Sequence, residues 1–332
     1  MLKVLIITVY VSISVFANGP VLKTGQTKSY NVAGSVVTDG SVKDDGYYQA
    51  GEVRSYSHPV QEVVKDNTTG LEWQDDYSDT GTVYKRTTWT EAFSYCSNLE
   101  LNGGGWRLPN MVELASLVDV GNYNPSVTTG IFTNLRAAWY WSAIPVAKLS
   151  TYAWYTNFYY GNRSYDNKTA TANFVCCVRG NPLEAPNFSR DNETKIVTDS
   201  STGLQWQDDD IVISIERTWQ EAIDYCENTL TLGEYDDWRL PNQNELLSII
   251  DQSQYDPAMD TRYFLNTSSS DYSNWTSTTY AHDTSYAWSI YFNSGANYEY
   301  TKTSARYVRC IRGGDINPPT TFNPSVIMYL LN

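Results

Sequence analysis

The sequence predicts an α+β fold built from two tandem domains, each with two helices and antiparallel strands rich in Trp and Tyr. Three observations carry that reading. First, Trp106-Arg107-Leu108-Pro109-Asn110, followed by Glu113 and Leu114, returns as Trp238-Arg239-Leu240-Pro241-Asn242, followed by Glu245 and Leu246. Second, equivalent landmarks keep a near-constant offset, from 130 residues (Trp89 to Trp219) to 134 (Trp141 to Trp275). A period of that length is a whole domain rather than a short stacked repeat. Third, 332 residues suffice for two cores, and 27 Tyr and 11 Trp with only 18% charged residues is a β-rich, loop-heavy composition.

The chain opens as a secretory signal does. Lys3 is the positive start, residues 4–16 are almost wholly apolar, and Val15-Phe16-Ala17 offers small residues for cleavage after Ala17. The run falls short of the ~20 residues a membrane span needs, and no later segment is long and apolar enough. Export is therefore expected, to the periplasm, the cell surface or the medium. A net charge of −14 argues against nucleic acid and against anionic polymers as the main ligand.

Residues 18–59 are rich in Gly, Ser, Thr, Lys and Asp without apolar periodicity, and read as an extended lead-in. Within it, Asp44-Asp45-Gly46-Tyr47-Tyr48 suggests a turn packed against the first repeat, or a weak calcium site. Domain 1 spans residues 60–180 and domain 2 residues 190–313; residues 181–189, with Pro182 and Pro186, form the linker, and 314–332 a tail. Each domain opens with apolar residues flanking an Asn/Asp/Thr/Gly cluster, up to Gly70-Leu71-Glu72-Trp73-Gln74 and Gly203-Leu204-Gln205-Trp206-Gln207, the mark of a β-hairpin. Helices then start at the N-caps Thr88 and Thr218. In the first, Trp89, Ala92, Phe93, Cys96 and Leu99 fall on a core stripe. The second helix of each domain starts at Asn110 or Asn242, where Glu113 or Glu245 completes a capping box. Leu114, Leu117 and Val118 match Leu246, Ile249 and Ile250. Strands follow around Trp141 and Trp154 and their partners Trp275 and Trp288.

Cys96 and Cys226 hold the same helical position, and Cys177 and Cys310 the same position in the last strand. In an exported protein this predicts the bridges Cys96–Cys177 and Cys226–Cys310, each worth ~4 kcal/mol of chain entropy for a loop of roughly 80 residues. Cys176 is left over, because domain 2 has Arg309 there. An inert thiol, an intermolecular bridge and a rival partner for Cys96 all stay open.

The Gly-Leu-x-Trp-Gln opening, the Trp-x-x-Ala-x-x-Tyr-Cys helix, the Trp-Arg-Leu-Pro-Asn turn and the closing Cys-x-Arg-Gly together resemble the Lcl C-terminal domain family, also called domain of unknown function 1566. The resemblance covers both domains, and Lys23-Thr24-Gly25-Gln26-Thr27 is similar to segments that precede such domains. It implies a C-type lectin-like fold and an adhesin-type role in binding sulfated glycosaminoglycans through basic residues. This acidic chain offers no matching basic cluster, and it lacks the Glu-Pro-Asn, Gln-Pro-Asp and Trp-Asn-Asp motifs of calcium-dependent lectins. The Arg-Leu-Pro turn is also similar to that of the formylglycine-generating enzyme, whose paired-thiolate copper site four bridged cysteines would not allow. No Ser/His/Asp set, His/Cys cluster or phosphate loop is evident, so no catalytic, metal or cofactor residues are assigned.

Trp106, Arg107, Pro109, Asn110 and Glu113, with Trp238, Arg239, Pro241, Asn242 and Glu245, read as structural anchors, each Arg pairing with the helix Glu. Candidate binding residues are aromatics that the duplication did not keep: Tyr155, Tyr159, Tyr160 and Tyr165 in domain 1, and Tyr291, Tyr298 and Tyr300 in domain 2. Alternating Tyr would line one sheet face and stack on sugar rings. The loops 142–151 and 277–285 differ most and would vary the ligand surface. The expectation is an exported non-catalytic module binding glycans or surface polymers in adhesion or envelope attachment. The alternative is a structural or protein-interaction module of a surface assembly, with oligomer formation open.

Overall fold

The computed structural model describes residues 20–314, apart from 83, 184 and 268–272; the expected signal segment and nearly all of the tail lie outside them. The architecture is α+β with few helices and mostly antiparallel sheets in two repeated halves. Each half begins with the expected hairpin. In the first, Asp66 accepts from the backbone N–H groups of Thr68 and Thr69, and Gly70 takes φ +77°. In the second, Asp199 accepts from Ser201 N–H, and Gly203 takes φ +72°. A side-chain acceptor plus a left-handed glycine closes the turn and returns the chain antiparallel. The hairpins belong to matching four-stranded sheets: Tyr56–Val60, Val63–Asp66, Glu72–Gln74 and Val178–Arg179, against Phe188–Asp191, Ile196–Asp199, Gln205–Gln207 and Ile311–Arg312. The second sheet thus starts inside the stretch expected as linker.

Helix α1 (Asp45–Tyr48) lies in the lead-in; α2 (Trp89–Ser97) and α3 (Met111–Ser116) belong to the first repeat, α4 (Trp219–Asn228) and α5 (Gln243–Ser248) to the second. All four repeat helices carry capping boxes, Thr88/Glu91, Asn110/Glu113, Thr218/Glu221 and Asn242/Glu245. Two orphan backbone donors are satisfied in each, which lets six- to ten-residue helices start at a defined residue. One position of the expected stripe is corrected. Phe93 is 38% exposed and meets Trp89 edge-on, whereas its counterpart Ile223 is buried. Cys96 bridges to Cys177 and Cys226 to Cys310, each inside a core of tryptophans: Trp106 and Trp141 in one half, Trp238 and Trp275 in the other.

The late strands differ between the halves. The first has a five-stranded sheet, in which Asn173–Val175 joins Lys85–Thr87 to Trp139–Pro145, Tyr152–Asn157 and Asn162–Asn167. The second has three strands, Ser273–Thr279, Tyr286–Tyr291 and Asn297–Thr301. Single bridges, Arg217 with Arg306 and Asn274 with Tyr307, hold the places of the other two.

The lead-in departs most from expectation. Its end, from Tyr56, runs extended in the first repeat's sheet, but the Asp44-Asp45-Gly46-Tyr47-Tyr48 piece forms a helix against the second repeat instead of a turn against the first. Val42 enters the core of the second repeat, and α1 packs on the strand Ser273–Thr279. Gly46 makes that approach feasible, since a Cβ there would sit 2.1 Å from the Lys28 carbonyl oxygen. Asp45 accepts from Thr24 and Thr278 hydroxyls, Gln26 accepts from Thr279 N–H, and Tyr48 donates to Glu227. The same segment also meets the first repeat, through Val120 N–H to Thr24 O and the Arg54 guanidinium on the Val118 carbonyl. Polar, Gly-rich composition here encodes buried hydrogen bonding between two domains rather than solvent exposure.

Candidate functional site

The paired anchors are engaged with one another within the fold. Arg107 donates to both Glu113 oxygens at 2.7 and 2.6 Å, and Arg239 to both Glu245 oxygens at 2.7 and 2.5 Å. The same Glu oxygen that receives Nη1 also accepts from the N-cap N–H of Asn110 or Asn242. Each Arg thereby ties the Trp-Arg-Leu-Pro turn to the start of the next helix. Trp106 and Trp238 are buried beside it.

Cys176 and Arg309 fill the same slot with opposite chemistry. In the second repeat, Asp208 is buried between Arg190 and Arg309. In the first, Asp75 takes the equivalent place and accepts from Thr133 and Asn134 N–H, while Cys176 donates its thiol to the Gln74 carbonyl. Burial pushes the Cys176 thiol up to about 12, so no thiolate is available at neutral pH. The acids of the Asp44-Asp45-Gly46 turn are likewise engaged, Asp44 by Gln26, Tyr30 N–H and Tyr47 N–H. No group of three or more His, Cys, Asp or Glu placed to hold a metal occurs among the described residues.

The seven candidate tyrosines do not share one sheet face. They fall into three groups along the junction of the repeats, where Asn162–Asn167 runs beside Asn297–Thr301 and Arg163 N–H donates to Asn297 Oδ1 at 2.7 Å. In the first group, Tyr155 stacks on the half-exposed Trp139, centroids 5.4 Å apart, and Tyr165 meets Trp154 edge-on. In the second, Tyr291 contacts Tyr298 and shares a hydroxyl hydrogen bond with Tyr300, whose ring carries the Arg306 guanidinium. Ser164 lies against the hydroxyls of Tyr155 and Tyr298, so the first two groups touch across the junction.

The third group draws in residues that sequence reasoning did not select. Tyr159 packs on Tyr160; Tyr160 meets Tyr280 and His282; His282 meets Tyr123 edge-on at 5.2 Å. Tyr280 is buried on Trp288, which fixes the base of the cluster, and its hydroxyl is pushed well above its usual range by burial and then by Glu299. Tyr123 and His282 are exposed above it. The two repeats contribute together, so neither alone could form this surface. The sequence signal existed, an unmatched Tyr and one of only two His residues, but their proximity is tertiary.

The variable loops are partly spent on internal contacts. Lys148 lies over the Tyr255 ring at 4.6 Å, across the junction, and Thr284 donates to the Gly34 carbonyl of the lead-in. No helix among the described residues is long and apolar enough to cross a membrane. In comparison with known proteins, the model of the Lcl C-terminal domain matches residues 62–179 and 195–312. No curated protein matches the chain.

Proposed function

The chain belongs to the Lcl C-terminal domain family through both of its repeats, and we propose that it is an exported, non-catalytic binding module of C-type lectin-like fold that recognises glycans or surface polymers. The observation carrying this reading is the aromatic cluster of Tyr123, Tyr160, Tyr280 and His282, built by both repeats on the buried Trp288. Rigid rings with exposed faces suit the apolar faces of sugar rings and lose little conformational entropy on contact. The net charge of −14 favours neutral over sulfated polymers. Glycan-array binding of the mature protein, with and without chelator, tests the reading. Neutral glycans are expected to bind independently of chelator, and a Tyr123→Ala/His282→Ala variant to lose that signal while keeping its melting temperature. An empty array, or binding untouched by the double substitution, sinks it.

A second reading, a protein-interaction module of a surface assembly, is favoured by the loops 142–151 and 277–285. Their engagement with Tyr255 and Gly34 stiffens the pair of domains into a unit suited to a structural role. An empty array together with capture of a surface partner selects it.

A further inference from the structure

Arg163 is a buried cation that the fold leaves unanswered. It is 5% exposed, and its guanidinium makes no hydrogen bond or ion pair among the described residues. Its counterpart in the second repeat is Asn297, as the strand registers Tyr155 with Ser164 and Ser289 with Tyr298 require. Every other deeply buried arginine answers to a carboxylate: Arg239 to Glu245, Arg190 and Arg309 to Asp208. An isolated charge taken from water is costly, and without an anion it pulls its own protonation down, here to about 9.

Arg163 lines a cavity of about 80 Å³ between the repeats. Its nitrogens are not among the wholly enclosed polar atoms that lack a partner, and the residue itself lines that space. Helices α3 and α5 wall it with equivalent positions, Val112 and Ala115 against Asn244 and Leu247, and the lead-in adds Val21. Among the described residues, no acidic side chain lines it. The cavity shares Val21, Val112 and Leu183 with a larger cleft of about 510 Å³, which has an apolar wall including Met111, Ile144 and Phe188 and a polar wall including Asp199, Asp251, Asp260 and Arg262.

We propose that this junction is a binding site for a small amphiphilic carboxylate, its head group held by Arg163 and its aliphatic tail laid along the apolar wall formed by Val21, Val112, Leu183, Met111 and Ile144. A planar carboxylate matches the guanidinium fork, and the burial that penalises Arg163 alone strengthens that pair. The apolar walls select against bare inorganic anions, which gain nothing from them. This site is separate from the aromatic cluster and does not depend on the glycan reading.

Calorimetric titration of the full mature protein with sodium octanoate tests the proposal. Sodium acetate, sodium sulfate and 1-octanol are the controls, and acetyl-leucyl-leucine distinguishes a peptide C-terminus from a fatty acid as the source of the carboxylate. One octanoate per chain is expected, binding at least about tenfold tighter than acetate or octanol. Arg163→Met, which keeps the apolar stem, is expected to weaken octanoate by about tenfold to a hundredfold, the worth of one charge-assisted pair. Its melting temperature is expected to be no lower than that of the parent, because an unanswered buried charge is gone. Leu247→Trp, which fills the cavity and leaves Arg163 in place, is expected to block binding equally and decides the matter if Arg163→Met does not fold. Octanol or sulfate binding as tightly as octanoate, no octanoate binding at millimolar concentration, or unchanged affinity in the folded variants overturns the proposal.

Discussion

Replacing Arg239 by Met should destabilise the protein far more than the same change at Arg107, although the sequence around the two is nearly identical. Both arginines make two-pronged contacts with a helix-capping glutamate of the same geometry. What differs is solvent. The Arg239 side chain is 4% exposed and Glu245 2%, whereas Arg107 is 32% exposed over a fully buried Glu113. Removing one partner of a buried pair strands the other charge, which costs about 3–5 kcal/mol. Asp45 aggravates this, since its charge already acts against that of Glu245. At Arg107 water can take up much of the role, so roughly 1–2 kcal/mol is expected, between the buried and surface limits. At about 2–4 °C per kcal/mol for chains of this size, Arg239→Met should lower Tm by roughly 6–20 °C and Arg107→Met by roughly 2–8 °C. Calorimetry at pH 7 with urea titration as a check supplies both values. Arg239→Met/Glu245→Gln should recover a large part of the loss, because a neutral acceptor still caps Asn242 N–H. An Arg107→Met cost equal to or above that of Arg239→Met, or no recovery in the double variant, refutes the claim that burial sets the energy.

Two further outcomes follow from buried titratable groups. In the native protein Cys176 should resist iodoacetamide and react fully after unfolding, with non-reducing peptide maps giving Cys96–Cys177 and Cys226–Cys310; native labelling within minutes contradicts a thiol enclosed with its pKa raised. The lead-in latch should make stability depend on pH around neutrality. Burial raises Asp44 to about 6 and Asp45 to about 7, so their stabilising contribution is complete below the unfolded value near 4 and is lost as pH rises through 6–7. Burial lowers Lys302, which donates to the Tyr30 and Asn31 carbonyls, to about 7, so its contribution is complete above the unfolded value near 10.5 and is lost as pH falls through 7. Tm should therefore dip near pH 7, and Asp45→Asn should flatten the acid side of that dip; an unchanged profile in the variant removes Asp45 as its source.

The sequence alone determined the repeats, the helix starts and the disulfides. These depend on residues near one another in the chain or on matched positions of a duplication. Asn110 and Glu113, or Asn242 and Glu245, define a capping box within four residues, and a repeated Cys pair needs only a shared register. The Tyr-rich hairpins were legible as strands for the same reason. Their arrangement was not, because alternation assigns a residue to a face without saying what that face will meet. Tyr123, Tyr160 and His282 come together only when the two repeats dock.

The lead-in and Arg163 were decided entirely by tertiary structure. A stretch of Gly, Ser, Thr and Asp looks solvated to any local rule, yet Asp45, Gln26 and Thr24 are buried against Thr278 and Thr279, more than two hundred residues away. Arg163 looks like an ordinary strand cation at a position where the other repeat has Asn297. Only the meeting of α3, α5 and the lead-in around it encloses the side chain and leaves a charge at a mostly apolar cavity. Burial is a property of the assembled surfaces, and it sets the energy of a charge far more strongly than residue type does.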